Sequence, residues 1–210
     1  METRTINLYS FCELDKATQG LIVNRNINMF IDDFNLYADD LKTLWVDVLE
    51  KVGFCIEYGD IEYSGFCCQG DGLSFTCKEM NVTAILTYAE KHGYEKEVKN
   101  LKTLLQFDSV LPCINFKIVR TTWRYAHKYT VNLCDNTEEV LIDTPQKAYI
   151  ADKIFNIVEH VRMDLCDKFY NELEQEWDKL YSFDYVNQWF LNYDDNLYLK
   201  NGQRWIESEA

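Results

Sequence analysis

At 210 residues and 24.9 kDa, the chain is the size of one domain and long enough to bury a core without disulfide or metal staples. Its 47% hydrophobic and 15% aromatic content excludes an intrinsically disordered protein, which could not offset its ordering entropy. Thirty-five acids against 21 bases leave a net charge of -14, which excludes a protein that binds nucleic acid directly along the phosphate backbone and disfavours anionic membrane surfaces.

No apolar run approaches the roughly 18 residues needed to span a bilayer, and no leader with a small-residue cleavage site follows Met1, so a soluble intracellular protein is expected. The eight cysteines (Cys12, Cys55, Cys67, Cys68, Cys77, Cys113, Cys134, Cys166) then read as reduced thiols serving as small apolar residues. No Cys-x-x-Cys pair occurs, and His92, His127 and His160 lie far apart in sequence, so neither a structural zinc nor another cofactor is expected.

No linker, low-complexity tract or repeat divides the chain. Residues 1–210 are therefore expected to form one compact α+β domain with small antiparallel sheets, several helices and a long C-terminal helix. A short helix is expected from Leu14 to Asn24. A longer one, from Ile31 to Val52, places Phe34, Tyr37, Leu41, Leu44, Trp45, Val48 and Val52 on one face and Asp32, Asp33, Asp39, Asp40, Asp47 and Glu50 on the other. From Phe54 to Lys78, short apolar runs punctuated by glycine indicate strands and tight turns. Asn81 is an N-cap for a helix through Lys91, and His92-Gly93 separates it from another over Tyr94 to Phe107. Strands follow at Ile114 to Arg120 and Tyr129 to Cys134. Thr144-Pro145 opens a helix to about Tyr181, with Ile150, Ile154, Ile157, Val161, Leu165, Phe169, Leu173, Trp177 and Leu180 at a spacing of three or four. At 1.5 Å per residue it is on the order of 50 Å long. A helix from Asp184 to Leu191 and a terminal hairpin with Asn201-Gly202 as a type I′ turn complete the chain.

Gly65-Phe-Cys-Cys-Gln-Gly70 has the glycine spacing of a phosphate loop, but Asp71 and Gly72 stand where such a loop needs lysine and a hydroxyl, and an aspartate would repel phosphate. The segment instead suggests a β-hairpin in which Asp71-Gly72 supplies positive φ angles and Phe66 and Phe75 face the core. A Cys/His nucleophile drawn from His127, Cys134 and Cys67-Cys68 has nothing to fix its geometry, and no catalytic motif is found. Acidic clustering has more content: residues 171–210 hold nine acids and three bases, an excess of six. Two acidic faces would present a phosphate-like array to a basic groove, although a solvated charged face has the same composition.

Four segments carry a family resemblance. Leu8-Tyr-Ser-Phe-Cys-Glu-Leu-Asp-Lys-Ala17, Asp60-Ile-Glu-Tyr-Ser-Gly-Phe-Cys-Cys-Gln-Gly-Asp-Gly-Leu-Ser-Phe75, Arg124-Tyr-Ala-His-Lys-Tyr-Thr-Val131 and Tyr170-Asn-Glu-Leu-Glu-Gln-Glu-Trp-Asp-Lys-Leu-Tyr-Ser182 resemble, in order and spacing, a bacteriophage family labelled antitoxin of a toxin–antitoxin stability system. Cys67 and Cys68 stand where that family's pattern carries an aromatic residue and a serine. Its T-even-like phage members resemble anti-DarT factors, which neutralise a host toxin that ADP-ribosylates single-stranded DNA. The resemblance implies a phage counter-defence protein of the host cytoplasm, whose partner is a host toxin or defence enzyme with a basic nucleic-acid groove. Candidate partner-binding residues are Asp32, Asp33, Asp39, Asp40 and Asp47, Glu172 and Glu176 of the late helix, and Tyr63, Gln69, Asp71 and His127 of the motif loops. An enzyme that reverses the toxin's modification, and a structural or regulatory phage component, remain as alternatives.

Overall fold

Wherever apolar residues recur every three or four positions, the chain is helical. The computed structural model describes residues 5–66, 70–122, 124–138 and 142–206. Its helices are α1 (Lys16–Arg25), α2 (Ile31–Val52), α3 (Val82–Lys91), α4 (Glu95–Lys102), α5 (Phe107–Val110), α6 (Pro145–Leu180) and α7 (Phe183–Tyr193). The strands are β1 (Tyr9–Ser10), β2 (Phe54–Cys55), β3 (Ile61–Ser64), β4 (Gly72–Phe75), β5 (Glu79–Met80), β6 (Phe116–Arg120), β7 (Val131–Asp135) and β8 (Leu197–Tyr198). They pair antiparallel as β1 with β8, β2 with β5, β3 with β4 and β6 with β7, giving an α+β fold of small two-stranded sheets around long helices.

Side-chain caps start four of the helices, two of them at the expected Asn81 and Thr144. Asp15 accepts from the Thr18 amide at 2.9 Å, Asn81 from Ala84 at 3.0 Å, Ser182 from Tyr185 at 3.1 Å and Thr144 from Lys147 at 3.3 Å. Each cap satisfies an amide that the first helical turn leaves without an intrahelical acceptor. Between α3 and α4 the chain turns at Gly93, whose φ of 101° suits a residue without Cβ. α4 then ends at Lys102, short of the expected Phe107. The Thr103 hydroxyl donates to the Asn100 carbonyl at 2.7 Å, competing with continuation of the helix.

The chain gathers into two compact units, residues 1–37 with 175–210 and residues 38–174, with the divisions falling inside α2 and α6. In the first unit, β1 pairs with β8 while α1 and α7 supply the buried Ile22, Val23, Val186 and Phe190. Phe11 stacks on Phe190 with centroids 5.0 Å apart, and Phe30 and Phe34 meet Tyr185 and Trp177 edge to face. The second unit is centred on α6, whose Ile150, Ile154, Ile157, Val161, Leu165, Phe169 and Leu173 are all buried, as their spacing demands. Trp45 stacks on Phe169 at 4.8 Å, and β4 contributes the fully buried Phe75 against Phe54.

Three expectations change. On α2 the buried stripe is Phe34, Ala38, Trp45, Leu49 and Val52, which cluster within about 60° at 100° per residue. Tyr37 and Leu44 lie roughly 60–80° outside the edge of that stripe and are exposed, Leu44 at 58%. Asp71 and Gly72 do not adopt positive φ; among described residues other than glycine, only Phe66 does, at 137°. In the tail, Trp205 donates back to the Leu197 carbonyl and Gly202 sits at φ 79°, but Asn201 lacks the positive φ that a type I′ turn requires.

Candidate functional site

The acidic residues assigned to α2 are where the helical period puts them. Asp32, Asp33, Asp39, Asp40, Asp47 and Glu50 are all exposed. Within the second unit, Asp39 accepts a hydrogen bond from the Tyr58 hydroxyl at 2.5 Å, which pushes that phenol up to about 12. Lys42 lies 4.0 Å over the same ring, so this part of the surface is organised rather than merely solvated. Leu44 is exposed on the flank of the acidic side.

Glu172 and Glu176, on α6, each bond to another side chain of the chain. Glu172 accepts a 2.8 Å hydrogen bond from the Trp45 indole, satisfying a donor whose ring is buried on Phe169. Glu176 is paired with Lys179, 2.9 Å away, on the same helix.

A second constellation forms at the end of the β3–β4 hairpin where Ser64 pairs with Gly72 and the chain connects the two strands. In its register, Tyr63 faces Leu73 and Ser64 faces Gly72. Beside this end lies the segment from Arg124 to Thr130, clipped on through one side chain. The Ser64 hydroxyl accepts from the Ala126 amide at 2.8 Å and donates to the Ala126 carbonyl at 3.0 Å. Close approach explains the glycines: a Cβ on Gly72 would lie 2.4 Å from the His127 ring, and one on Gly70 would lie 2.8 Å from the Tyr125 ring. Gly72 is thus required by a neighbouring histidine, not by turn geometry.

Phe66 carries the strained backbone. Its amide donates to the Asp71 carboxylate at 3.0 Å, and its ring stacks on Tyr170 at 5.6 Å, with Tyr63 at 6.2 Å. These contacts hold a conformation that costs a residue with a Cβ roughly 1–3 kcal/mol, the kind of strain that concentrates at functional sites. Burial raises the Tyr63 phenol, with Asp39 adding to the shift. Burial lowers His127, and the neighbouring Lys128 charge adds to it, so its ring is neutral at pH 7. His127 Nδ1 accepts from the Tyr129 amide at 3.2 Å, which leaves its remaining proton on Nε2.

Tyr63, Asp71 and His127 are therefore brought to one strand end; Gln69, with Cys67 and Cys68, lies outside the described residues. The sequence reasoning missed Phe66 as the strained residue, Tyr125 and Tyr170 as the rings against the loop, and Arg162. This arginine is 1% exposed, forks onto Glu159 at 2.5 and 2.8 Å, and donates to the Lys128 carbonyl at 2.9 Å. It holds the segment carrying His127 from beneath. Burial opposes its charge, but Glu159 and Cys166 together offset this and raise its pKa. A single charged residue on a buried helical face was its only signal in the sequence. Of the remaining thiols, Cys77 and Cys166 are buried and pushed up to about 12 by burial, which makes them unreactive. Among the described residues, no three His, Cys, Asp or Glu side chains are placed to hold a metal ion.

Such a chain is an α+β protein with an acidic helix side and with Gly65 and Gly70 packed against the rings of Tyr170 and Tyr125. Residues 37–183 match the model of a family described as Domain of unknown function (DUF8835), and the chain belongs to that family. No curated protein and no solved structure matches it. No helix among the described residues is long and apolar enough to cross a membrane.

Proposed function

We propose that the protein is a phage-encoded counter-defence factor that neutralises a host toxin in the host cytoplasm by stoichiometric binding. Its acidic α2 side enters or covers a basic nucleic-acid groove of that toxin. The observation that carries this proposal is the exposure of Asp40, Asp47 and Glu50 along one side of α2, with Asp32 and Asp33 exposed at its start. In the second unit, Asp39, Asp40, Asp47 and Glu50 span 11 helical steps, about 17 Å, a sparser array than a nucleic-acid strand but one of the same sign. Attraction between such a face and a basic groove raises association rates and weakens with salt. The resemblance of the four sequence segments to the phage antitoxin family supports the choice of partner.

The test is Asp40→Lys combined with Asp47→Lys, and separately Asp33→Lys, measured against a toxin that ADP-ribosylates single-stranded DNA. Removing these charges should lower affinity about tenfold or more and flatten its salt dependence. Unchanged affinity at low and high salt would refute the groove-mimic mechanism. An activity titration should reach its end-point near one protein per toxin. Complete neutralisation at a small fraction of that ratio would instead favour an enzyme that reverses the modification. The observation favouring this alternative is the gathering of Tyr63, Asp71 and His127 at one strand end.

A further inference from the structure

Between α4 and the first half of α6, within the second unit, is a cleft of about 540 Å³, in the size range of small-molecule sites. Leu101, Leu104 and Ile157 make its lining largely apolar. The polar and aromatic lining is of three kinds: the rings of Tyr94, Tyr149 and His160, the amides of Asn100 and Asn156, and the ammonium of Lys153. Tyr94 is fixed in place because its hydroxyl donates to Asp164 at 2.7 Å and its ring lies within 8° of parallel to His160. Tyr149 is 54% exposed, a large flat ring half open to solvent at the wall of an apolar cleft. Lys153 sits 5.3 Å from the centre of that ring and forms no ion pair among the described residues. Its ammonium is therefore available to an anion that enters the cleft.

These groups match the parts of one ligand class. Exposed aromatic rings stack on nucleobases, side-chain amides both donate to and accept from a base edge, and a lysine without a partner takes a phosphate. We propose that this cleft binds a mononucleotide, with the base against Tyr149 and the phosphate on Lys153. One cation suits a single phosphate, and Glu97, also lining the cleft, accepts from a sugar hydroxyl and repels further phosphates. The site shares no residue with the acidic side of α2 or with the β3–β4 loop, and it does not depend on toxin neutralisation.

The test is a ligand-observed NMR titration of the full chain with AMP, adenosine and inorganic phosphate. AMP should bind more tightly than either of its parts. Lys153→Met should weaken AMP about tenfold and leave adenosine unchanged, while Tyr149→Ala should weaken both about tenfold. Both side chains are exposed, so circular dichroism should show an unchanged fold for each variant. No AMP binding up to about 1 mM, or equal binding by wild type and Lys153→Met, would overturn the proposal. Phosphate binding as tightly as AMP would also overturn it, since that would mark a bare anion site.

Discussion

Gly72→Ala should be the most damaging small substitution in the motif loop. The added methyl would lie 2.4 Å from His127 Cδ2, 3.0 Å from its Cγ and 3.2 Å from its Cα. The backbone contact means that rotating the imidazole cannot clear the clash, so the segment from Arg124 to Thr130 has to move. That movement strains the two Ser64 bonds to Ala126, each contributing about 1 kcal/mol, on top of about 1–3 kcal/mol for overpacking. With the two bonds weakened by about half, a loss of about 2–4 kcal/mol is expected. Gly70→Ala should cost less, because it meets only the side chain of the partly exposed Tyr125, which can swing away. Gly59→Ala is the control: nothing lies within 4 Å and its φ is not positive, so its effect should stay within about 0.5 kcal/mol. Urea unfolding followed by circular dichroism ranks the three. Equal midpoints for Gly72→Ala and Gly59→Ala would refute the packing account of the loop.

His127 and Glu172 give two further measurements. Burial and then Lys128 hold His127 below 6.5, so folding favours its neutral form and the unfolded chain binds more protons. The stabilisation is present above 6.5 and is lost as pH falls toward the lowered value. The drop in unfolding free energy from about pH 7 to about pH 5 should therefore be smaller in His127→Gln, and parallel curves would refute it. Glu172→Ala leaves the buried Trp45 indole without an acceptor and should cost about 1–3 kcal/mol in urea unfolding, whereas Glu172→Gln keeps an acceptor and should retain most of the stability. Equal losses in the two variants would show that the hydrogen bond is not what Glu172 contributes.

Several elements were legible because their cause is local. Apolar spacing and one capping side chain suffice to define α2 and α6, and their observed starts at Ile31 and Pro145 agree with the expected ones. Asn81 and Thr144 cap their helices through bonds three residues away. The exposed acids of α2 follow from the same period. Where the cause is a distant residue, the sequence misleads. Gly72 looks like a turn glycine but is small because His127, 55 positions later, lies against it. Glu172 looks like one acid in a charged run but serves Trp45, 127 positions earlier.

By itself, then, the sequence determined the α+β class, the long helices, the sign of the charge and the side of α2 that carries it. Those properties depend on composition and on periods of a few residues, which any local stretch displays. Only the tertiary structure decided that Tyr63, Asp71 and His127 meet at one strand end, that Phe66 bears the strain, and that buried Arg162 supports the loop from below. It also decided which wall of α6 faces α4 and so leaves Tyr149 and Lys153 beside an apolar cleft. These are meetings of side chains far apart along the chain. Packing brings them together, and no local pattern records the encounter.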